Sequence, residues 1–292
     1  MTKILVTGAT GNIGRMTLKH LLKRRPTSDL AGLARDPAKA ADLVAEGIEI
    51  RQGDYFDYDG LVRAFEGIEK VMLVSATAFT DRNSQHLNVI SAARQASVKH
   101  IVYMPIIHEE GSAFTLPDIT GQDLFVEDQL KASGLAFTLV RHPPFIESLP
   151  FYIGSKALER GIHVPAGAGK AGFASRSDLA EAHAVVLSEA GHEYKTYALY
   201  GDPAVSFADV AQILSDTSGK PVPFVAGSDQ DYITHLMAEG LPEPVARFAL
   251  GWVHGINAGE WSGSTGDLEN LLGRKPMTTA EFLRAYYTAR QA

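Results

Sequence analysis

The chain has 292 residues, 45% of them hydrophobic and 21% charged, with a formal net charge of −7. This is ordinary globular composition, long enough for one large domain or for a large domain with a smaller annex. The sequence has no cysteine, which excludes disulfides, thiolate metal sites and thiol catalysis together, and its acidic balance argues against a face that neutralises a nucleic-acid backbone.

The chain begins with a strand signal, because residues 1–7 end in the apolar run KILVT. That leaves no room for a secretory leader, and no later window offers the ~20 apolar residues of a membrane span. The expected location is the cytoplasm. Residues 13–22 follow with Ile13, Met16, Leu18, Leu21 and Leu22 at helical spacing. The one dense basic run, KHLLKRR at 19–25, reads as the solvated end of that helix. LAGLA (30–34) is a second strand, PAKAADLVAEG (37–47) a helix with proline in its first turn and a glycine stop, and IEIRQG (48–53) a third strand. A short helix (57–67), a strand VMLVSA (71–76), a helix (82–96), a strand HIVYM (100–104), a helix (121–134) and a strand AFTLVR (136–141) continue the alternation.

Strands alternating with helices predict a doubly wound parallel sheet, and unbroken Ile/Val/Leu runs suit strands covered on both faces. The fold class is α/β: a Rossmann sheet over 1–142 and a smaller C-terminal α/β lobe over 143–292, with the chain free to cross between them. In the second part HPPFIESLPF (142–151) is rich in proline and aromatics and unlike a regular helix. A short strand GIHVPA, a helix over 178–189, a strand KTYALY, a helix over 207–218, PVPFV and three more helical patterns up to Ala289 complete the chain.

The stretch LVTGATGNIG places Gly8, Gly11 and Gly14 between the first strand and the first helix. Glycines there allow a tight turn and a close backbone approach to a pyrophosphate, and the helix aims its positive end at that anion. Gly8, Thr10, Gly11, Asn12, Ile13 and Gly14 are therefore assigned to a nucleotide. Arg35 ends the second strand, where an NAD site carries an acidic residue; a guanidinium fork suits a 2′-phosphate, so NADP(H) is favoured over NAD(H). Asp36 follows it, either as a ribose ligand or as the cap of the next helix. Asp54 is a candidate for the adenine edge or a helix cap. Ser75, Ala76 and Thr77, ending the fourth strand, should pass near the ribose and pyrophosphate. Arg15 either assists or is solvated.

TGATGNIG with Arg35, GDYFD and EDQLKASGLAFTLVRHPPF resemble the NmrA-like group of atypical short-chain dehydrogenases, and within it the bacterial NADPH-dependent dye and quinone reductases. FASRSDLAEAHAVVLSEAGHEYKTYALYG and VAQILSDTSGKPV carry the likeness into the second part. The resemblance implies an NADP(H)-binding Rossmann domain, a small second lobe, and a cleft between them holding substrate against the nicotinamide. The group also contains members that bind the nucleotide and regulate without catalysing, which is the rival reading.

Ordinary short-chain dehydrogenases place Tyr-x-x-x-Lys on the helix after the fifth strand to protonate a carbonyl. Here Tyr103 is followed four residues later by Ile107, and Tyr55 by Asp59. A quinone or a cationic dye accepts hydride without a strong positioned acid, so the expected substrate is an aromatic, electron-poor small molecule held in contact with the cofactor. An aryl ketone, imine or lignan-type ether would need a donor, for which His142 and Tyr152 are the candidates; a structural role is the alternative for His142. Met104, Pro105, Ile107, His108, Phe145 and Phe151 are expected to line the acceptor pocket, with Trp252 or Trp261 reaching in, unless Phe145 and Ile146 are interdomain core. Glu127 either touches substrate or is a surface charge. No metal is expected, because the ten histidines show no ligand spacing such as H-E-x-x-H. The expected assembly is a monomer or homodimer, without nucleic-acid or membrane partners.

Overall fold

The computed structural model describes residues 3–288. Met1 and Thr2 of the expected first strand, and Ala289 at the end of the last helical pattern, lie outside the described residues. The elements in chain order are β1 (Ile4–Val6), α1 (Asn12–Leu21), β2 (Leu30–Ala34), α2 (Ala41–Ala45), β3 (Glu49–Gln52), α3 (Tyr58–Ala64), β4 (Lys70–Leu73), α4 (Arg82–Gln95), β5 (His100–Tyr103), α5 (Thr120–Ala132) and β6 (Ala136–Arg141). They continue with α6 (Leu149–Ile153), α7 (Ala157–Arg160), β7 (Ile162–Pro165), α8 (Arg176–Ser188), β8 (Thr196–Ala198), α9 (Phe207–Ser218), β9 (Phe224–Gly227), α10 (Asp229–Ala238), α11 (Glu243–Ala258), α12 (Asp267–Leu272) and α13 (Thr279–Thr288).

Seven strands form one parallel sheet in the order β3-β2-β1-β4-β5-β6-β8. The order reverses between β1 and β4, and a crevice opens there beyond the carboxyl ends of the strands. Alternate residues of one strand feed opposite layers. Ile4 and Val6 pack with Leu18, Leu21 and Leu179 of α1 and α8, whereas Leu5 packs with Leu61 and Val89 of α3 and α4. Covered on both faces, β1, β2 and β5 are buried throughout; β3, at the sheet edge, presents Glu49 and Gln52 to solvent.

The described chain after residue 142 contributes to both parts. Helix α8 returns to pack on α1, and β8 pairs with β6 as the seventh strand, Thr196 opposite Leu139. KTYALY thus belongs to the main sheet. The second core is built from α6, β7, α9, α10, α11 and α13 around Phe207, Tyr232 and Trp261, and it takes in Ile106, Ile107 and Leu116 from the loop after β5. Strands β7 and β9 form a separate parallel pair, Ile162 opposite Phe224.

HPPFIESLPF is, as expected, no regular helix: a 3-10 turn at Ile146–Ser148 leads into α6, with proline in its first turn, where a missing N–H leaves no intrahelical bond unmade. Two further expectations change. PAKAADLVAEG is not one helix but a 3-10 turn at Pro37–Ala40 followed by α2. Among the described residues four helices, not three, follow β9. Among the described residues no helix is long and apolar enough to cross a membrane.

Candidate active site

The glycine turn is built as its spacing requires. Gly8 has φ of 60°, a left-handed conformation that glycine adopts without strain, and its carbonyl accepts the Gly11 N–H at 2.9 Å. A Cβ on Gly14 would press into the Gly8 carbonyl and come within 2.8 Å of the Thr7 carbonyl oxygen. Without that Cβ, α1 can start directly against the turn. Gly11 caps α1 with no side-chain bond, and the first turn holds no acidic residue, so its N–H groups remain available to an anion. Thr7 fixes the approach: its hydroxyl donates to the Met72 carbonyl and accepts from Val74 N–H, each at 2.9 Å. The Tyr55 hydroxyl donates to the Val74 carbonyl at 2.8 Å beside it.

A cleft of about 270 Å³ lies over this turn. Its wall brings together Gly8, Thr10, Gly11, Arg35, Asp54, Ser75 and Ala76 from the ends of four strands. Asn12 is exposed at the start of α1, while the Ile13 side chain and Gly14 are buried behind the wall. Past Gly53 and Asp54 the cleft opens into a wider cavity of about 660 Å³ against the β3 edge, also lined by Arg35.

The charges sort themselves. Asp36 caps the turn after it, accepting the Ala38 N–H at 3.1 Å, which leaves the exposed Arg35 beside a carboxylate already engaged. Asp54 accepts the Phe56 N–H at 3.0 Å; the α3 cap is Asp57, so the cap alternative for Asp54 is set aside. Arg15 neither reaches the cleft nor is free. It pairs with Asp42 and donates to the Lys39 carbonyl, tying α1 to α2. Ser75 donates to the Met104 carbonyl at 2.8 Å, and Ala76 N–H donates to His86 Nε2 at 2.8 Å. Burial pushes His86 down to about 3, so it accepts as a neutral ring. A cradle shaped by absent side chains, unspent helix N–H groups and an arginine at the β2 end fit a dinucleotide carrying a 2′-phosphate.

On the acceptor side, β5 and β6 continue pairing past their ends. Ile107 N–H donates to the His142 carbonyl and His142 N–H to the Pro105 carbonyl, both at 2.8 Å. The buried Asp123 holds this loop: it accepts from Ile106 N–H and the Tyr103 hydroxyl at 2.8 Å and from Arg82 Nη2 at 2.7 Å. Burial raises both Asp123 and Tyr103, so Tyr103 keeps its proton. Trp261 Nε1 donates to the Ile107 carbonyl at 3.0 Å from the second core.

Several expected roles are corrected. His142 is not poised as an acid. Its ring is buried toward α8, its Nε2 lies 2.8 Å from His183 Nε2, and burial pushes it down to about 3. Tyr152 is buried in the second core, its ring stacked on Trp252 and its hydroxyl pushed up by desolvation. The Met104, Pro105 and Ile107 side chains are buried and serve packing instead of an open pocket. Phe145 and Phe151 are half-buried: Phe145 lies under the Arg176 guanidinium at 4.8 Å, and Phe151 packs beside Tyr152. Ile146 is core. His108 is half-buried, 3.6 Å from Glu260. Glu127 is neither a surface charge nor free for substrate, because it is buried in a two-pronged bond to Arg141 at 3.0 and 2.6 Å.

The sequence reading missed Asp123, Arg82, His86, Tyr55 and the cleft residues Thr80 and Gln85, while Thr77 lines the cleft beside Ser75 and Ala76. One signal was present for Asp123, since an acid standing among apolar neighbours on α5 faces the sheet.

Residues 8–190 match the family described as NAD(P)H-binding. The chain belongs to this family. As an NAD(P)H-binding protein it is 38% identical over 281 residues to quinone oxidoreductase 2 of Escherichia coli, covering 95% of this chain and 96% of the relative. It is 31% identical over 288 residues to the NAD(P)H azoreductase of Xenophilus azovorans, with 98% of each chain covered. Among solved structures, the Escherichia coli NADPH-dependent quinone oxidoreductase complexed with NADPH superposes with a TM-score of 0.91 at 36% identity, covering 97% of this chain and 99% of the other. The Citrobacter triphenylmethane reductase complexed with NADP(H) does so with 0.88 at 32%, covering 97% and 99%. This NAD(P)H-binding chain is an oxidoreductase with NAD(P)H as its cofactor.

Proposed function

We propose that the chain is an NADPH-dependent reductase of flat, electron-poor aromatic acceptors, quinones or cationic dyes, working without a protein acid. The observation that carries this reading is the state of the side chains that could serve as acids near the acceptor loop. Tyr103 is bonded to Asp123, while His142 and Tyr152 are buried away from the cleft. An acceptor whose product anion is stabilised by its own ring needs none of them.

Reduced nicotinamide, when bound, supplies a hydride. The protein's part is positioning. The glycine turn and the first turn of α1 hold the pyrophosphate, Arg35 meets the 2′-phosphate, and Ser75 and Ala76 border the ribose. The Asp123 and Trp261 bonds fix the loop at 105–107 as a dry, rigid wall, and the reduced quinone takes its proton from water. The same reading places a monomer or homodimer in the cytoplasm, and the net charge of −7 supports the absence of a nucleic-acid partner.

NADPH oxidation is to be followed against a panel of benzoquinones, naphthoquinones, azo dyes and triphenylmethane dyes. Turnover of at least one class is expected. Tight NADPH binding with no oxidation by any of them at substrate-level enzyme would leave only the regulator reading.

A further inference from the structure

Phe79 stands in the loop between Thr77 and Thr80, two residues that line the nucleotide cleft. It is 62% exposed and holds φ of 68°. Both features run against ordinary preference: a phenyl ring gains by burial, and residues with a Cβ avoid left-handed backbone. The loop is anchored on both sides of it. Upstream, Ala76 N–H is held by His86. Downstream, Thr80 donates to the Thr77 carbonyl at 2.7 Å and Asp81 caps α4. Between these anchors the ring leans toward the second lobe and meets Phe248 of α11 edge to face, with centroids 5.1 Å apart and planes at 65°.

The contact is the first of a series. Phe248 meets Trp252 at 6.2 Å, Trp252 meets Trp261 at 5.2 Å, and Trp261 meets Phe114 at 5.8 Å. Trp261 is also the residue bonded to the Ile107 carbonyl. Five rings thus run from the rim of the nucleotide cleft to the wall of the acceptor loop. A hydrophobic core would not need the outermost ring left in solvent. A site that admits a large multi-ring molecule would, because the molecule then covers what the protein leaves bare.

We infer that Phe79 and Phe248 form an aromatic gate that selects multi-ring acceptors over single-ring ones. The inference rests on the reductase reading above. A multi-ring dye entering beside Phe79 gains offset or edge contacts with both rings, and a cationic one gains further over their faces. A single-ring quinone is too small to touch the gate and the inner wall together. The gate therefore sets the ratio of specificities more than it sets the rate for the smallest acceptor.

The test compares F79A and F248A with the unaltered protein, using a triphenylmethane dye and 1,4-benzoquinone. Retained NADPH binding certifies the fold, and the exposed position of Phe79 makes F79A the safer variant should F248A not fold. The ratio of kcat/KM for dye over benzoquinone is expected to fall about tenfold in each variant, and to recover in Phe79→Trp. A second readout needs no turnover: the only two tryptophans, Trp252 and Trp261, both lie in the ring series. Their fluorescence, titrated with dye in the presence of NADP⁺, should show binding weakened by a similar factor. An unchanged ratio with unchanged quenching overturns the gate. Unaltered protein that binds dye but oxidises no NADPH overturns the reductase reading instead, and the quenching comparison then decides the gate alone.

Discussion

The rings of His142 and His183 meet Nε2 to Nε2 at 2.8 Å, and the Nδ1 atom of each is buried with no hydrogen-bond partner. One nitrogen must donate and the other accept, so the pair holds when both rings are neutral and of opposite tautomer. Burial pushes His142 down to about 3 and His183 well below its usual value. Unfolded histidines bind protons near pH 6.5, so between that pH and about 3 the unfolded chain holds more protons. Stability therefore falls as pH falls through this window, by up to about 1.4 kcal/mol per pH unit for each buried ring. His86 and His100, pushed down to about 3 and about 4, act in the same direction. Urea unfolding measured from pH 7.5 to 4.5 should show a plateau and then a decline, shallower in a His142→Leu/His183→Leu double variant. Stability independent of pH below 6 would contradict the neutral pair.

Arg35 is predicted to decide between the two dinucleotides. A charge-assisted bond to a 2′-phosphate is worth about 1.5–3 kcal/mol. Arg35→Ala should then weaken NADPH binding by about ten- to a hundredfold and leave NADH binding within about twofold, as measured by fluorescence of the bound reduced nucleotide. Equal losses for both nucleotides would assign Arg35 a structural role.

Much of this fold was legible because its signals are local. The six strands and the helices between them follow from apolar runs and glycine stops, and the turn at Gly8–Gly14 follows from spacing alone. What could not be read needs the third dimension. Nothing in KTYALY says that β8 rejoins the sheet beside β6, since Thr196 pairs with Leu139, 57 positions earlier in sequence. His142 follows a strand end, where cleft residues gather, and only the position of α8 turns its ring toward His183. Glu127 reads as a helix surface charge until Arg141 is seen across from it. The sequence showed no Tyr-x-x-x-Lys on the helix after the fifth strand, and Tyr152 and Lys156 stand at that spacing farther along the chain; that Tyr152 and His142 are buried came only from the structure.

Gly14 is predicted to tolerate no side chain. A Cβ there meets backbone atoms of Gly8 and Thr7, which cannot swing aside as a flexible side chain would. Gly14→Ala should cost about 1–3 kcal/mol of stability and weaken NADPH binding, because α1 must back away from the turn. Thermal unfolding and nucleotide titration of the same variant would show both losses. A variant with unchanged affinity would mean that the close approach of α1 is dispensable.

Asp123 and Arg82 form a buried pair whose members are uneven in their removal. Asp123→Ala strands a buried guanidinium and frees the Ile106 N–H, at a cost of about 3–5 kcal/mol. Removing both charges with apolar residues of similar size should cost less than the single change. Denaturant unfolding of Asp123→Ala beside an Arg82→Met/Asp123→Leu double variant tests this. A double variant less stable than the single would show that the pair contributes net stability and does not merely avoid an orphaned charge.

The central claim is hydride transfer to an aromatic acceptor without a protein acid. Its most direct test is single-turnover oxidation of enzyme-bound NADPH by a quinone, run with ordinary and 4-deuterated cofactor in the unaltered protein, His142→Phe and Tyr152→Phe. The account predicts complete oxidation with a primary isotope effect and rates within about twofold in all three. Loss of transfer in either variant that still binds NADPH, or NADPH that stays reduced in the unaltered protein, would contradict it.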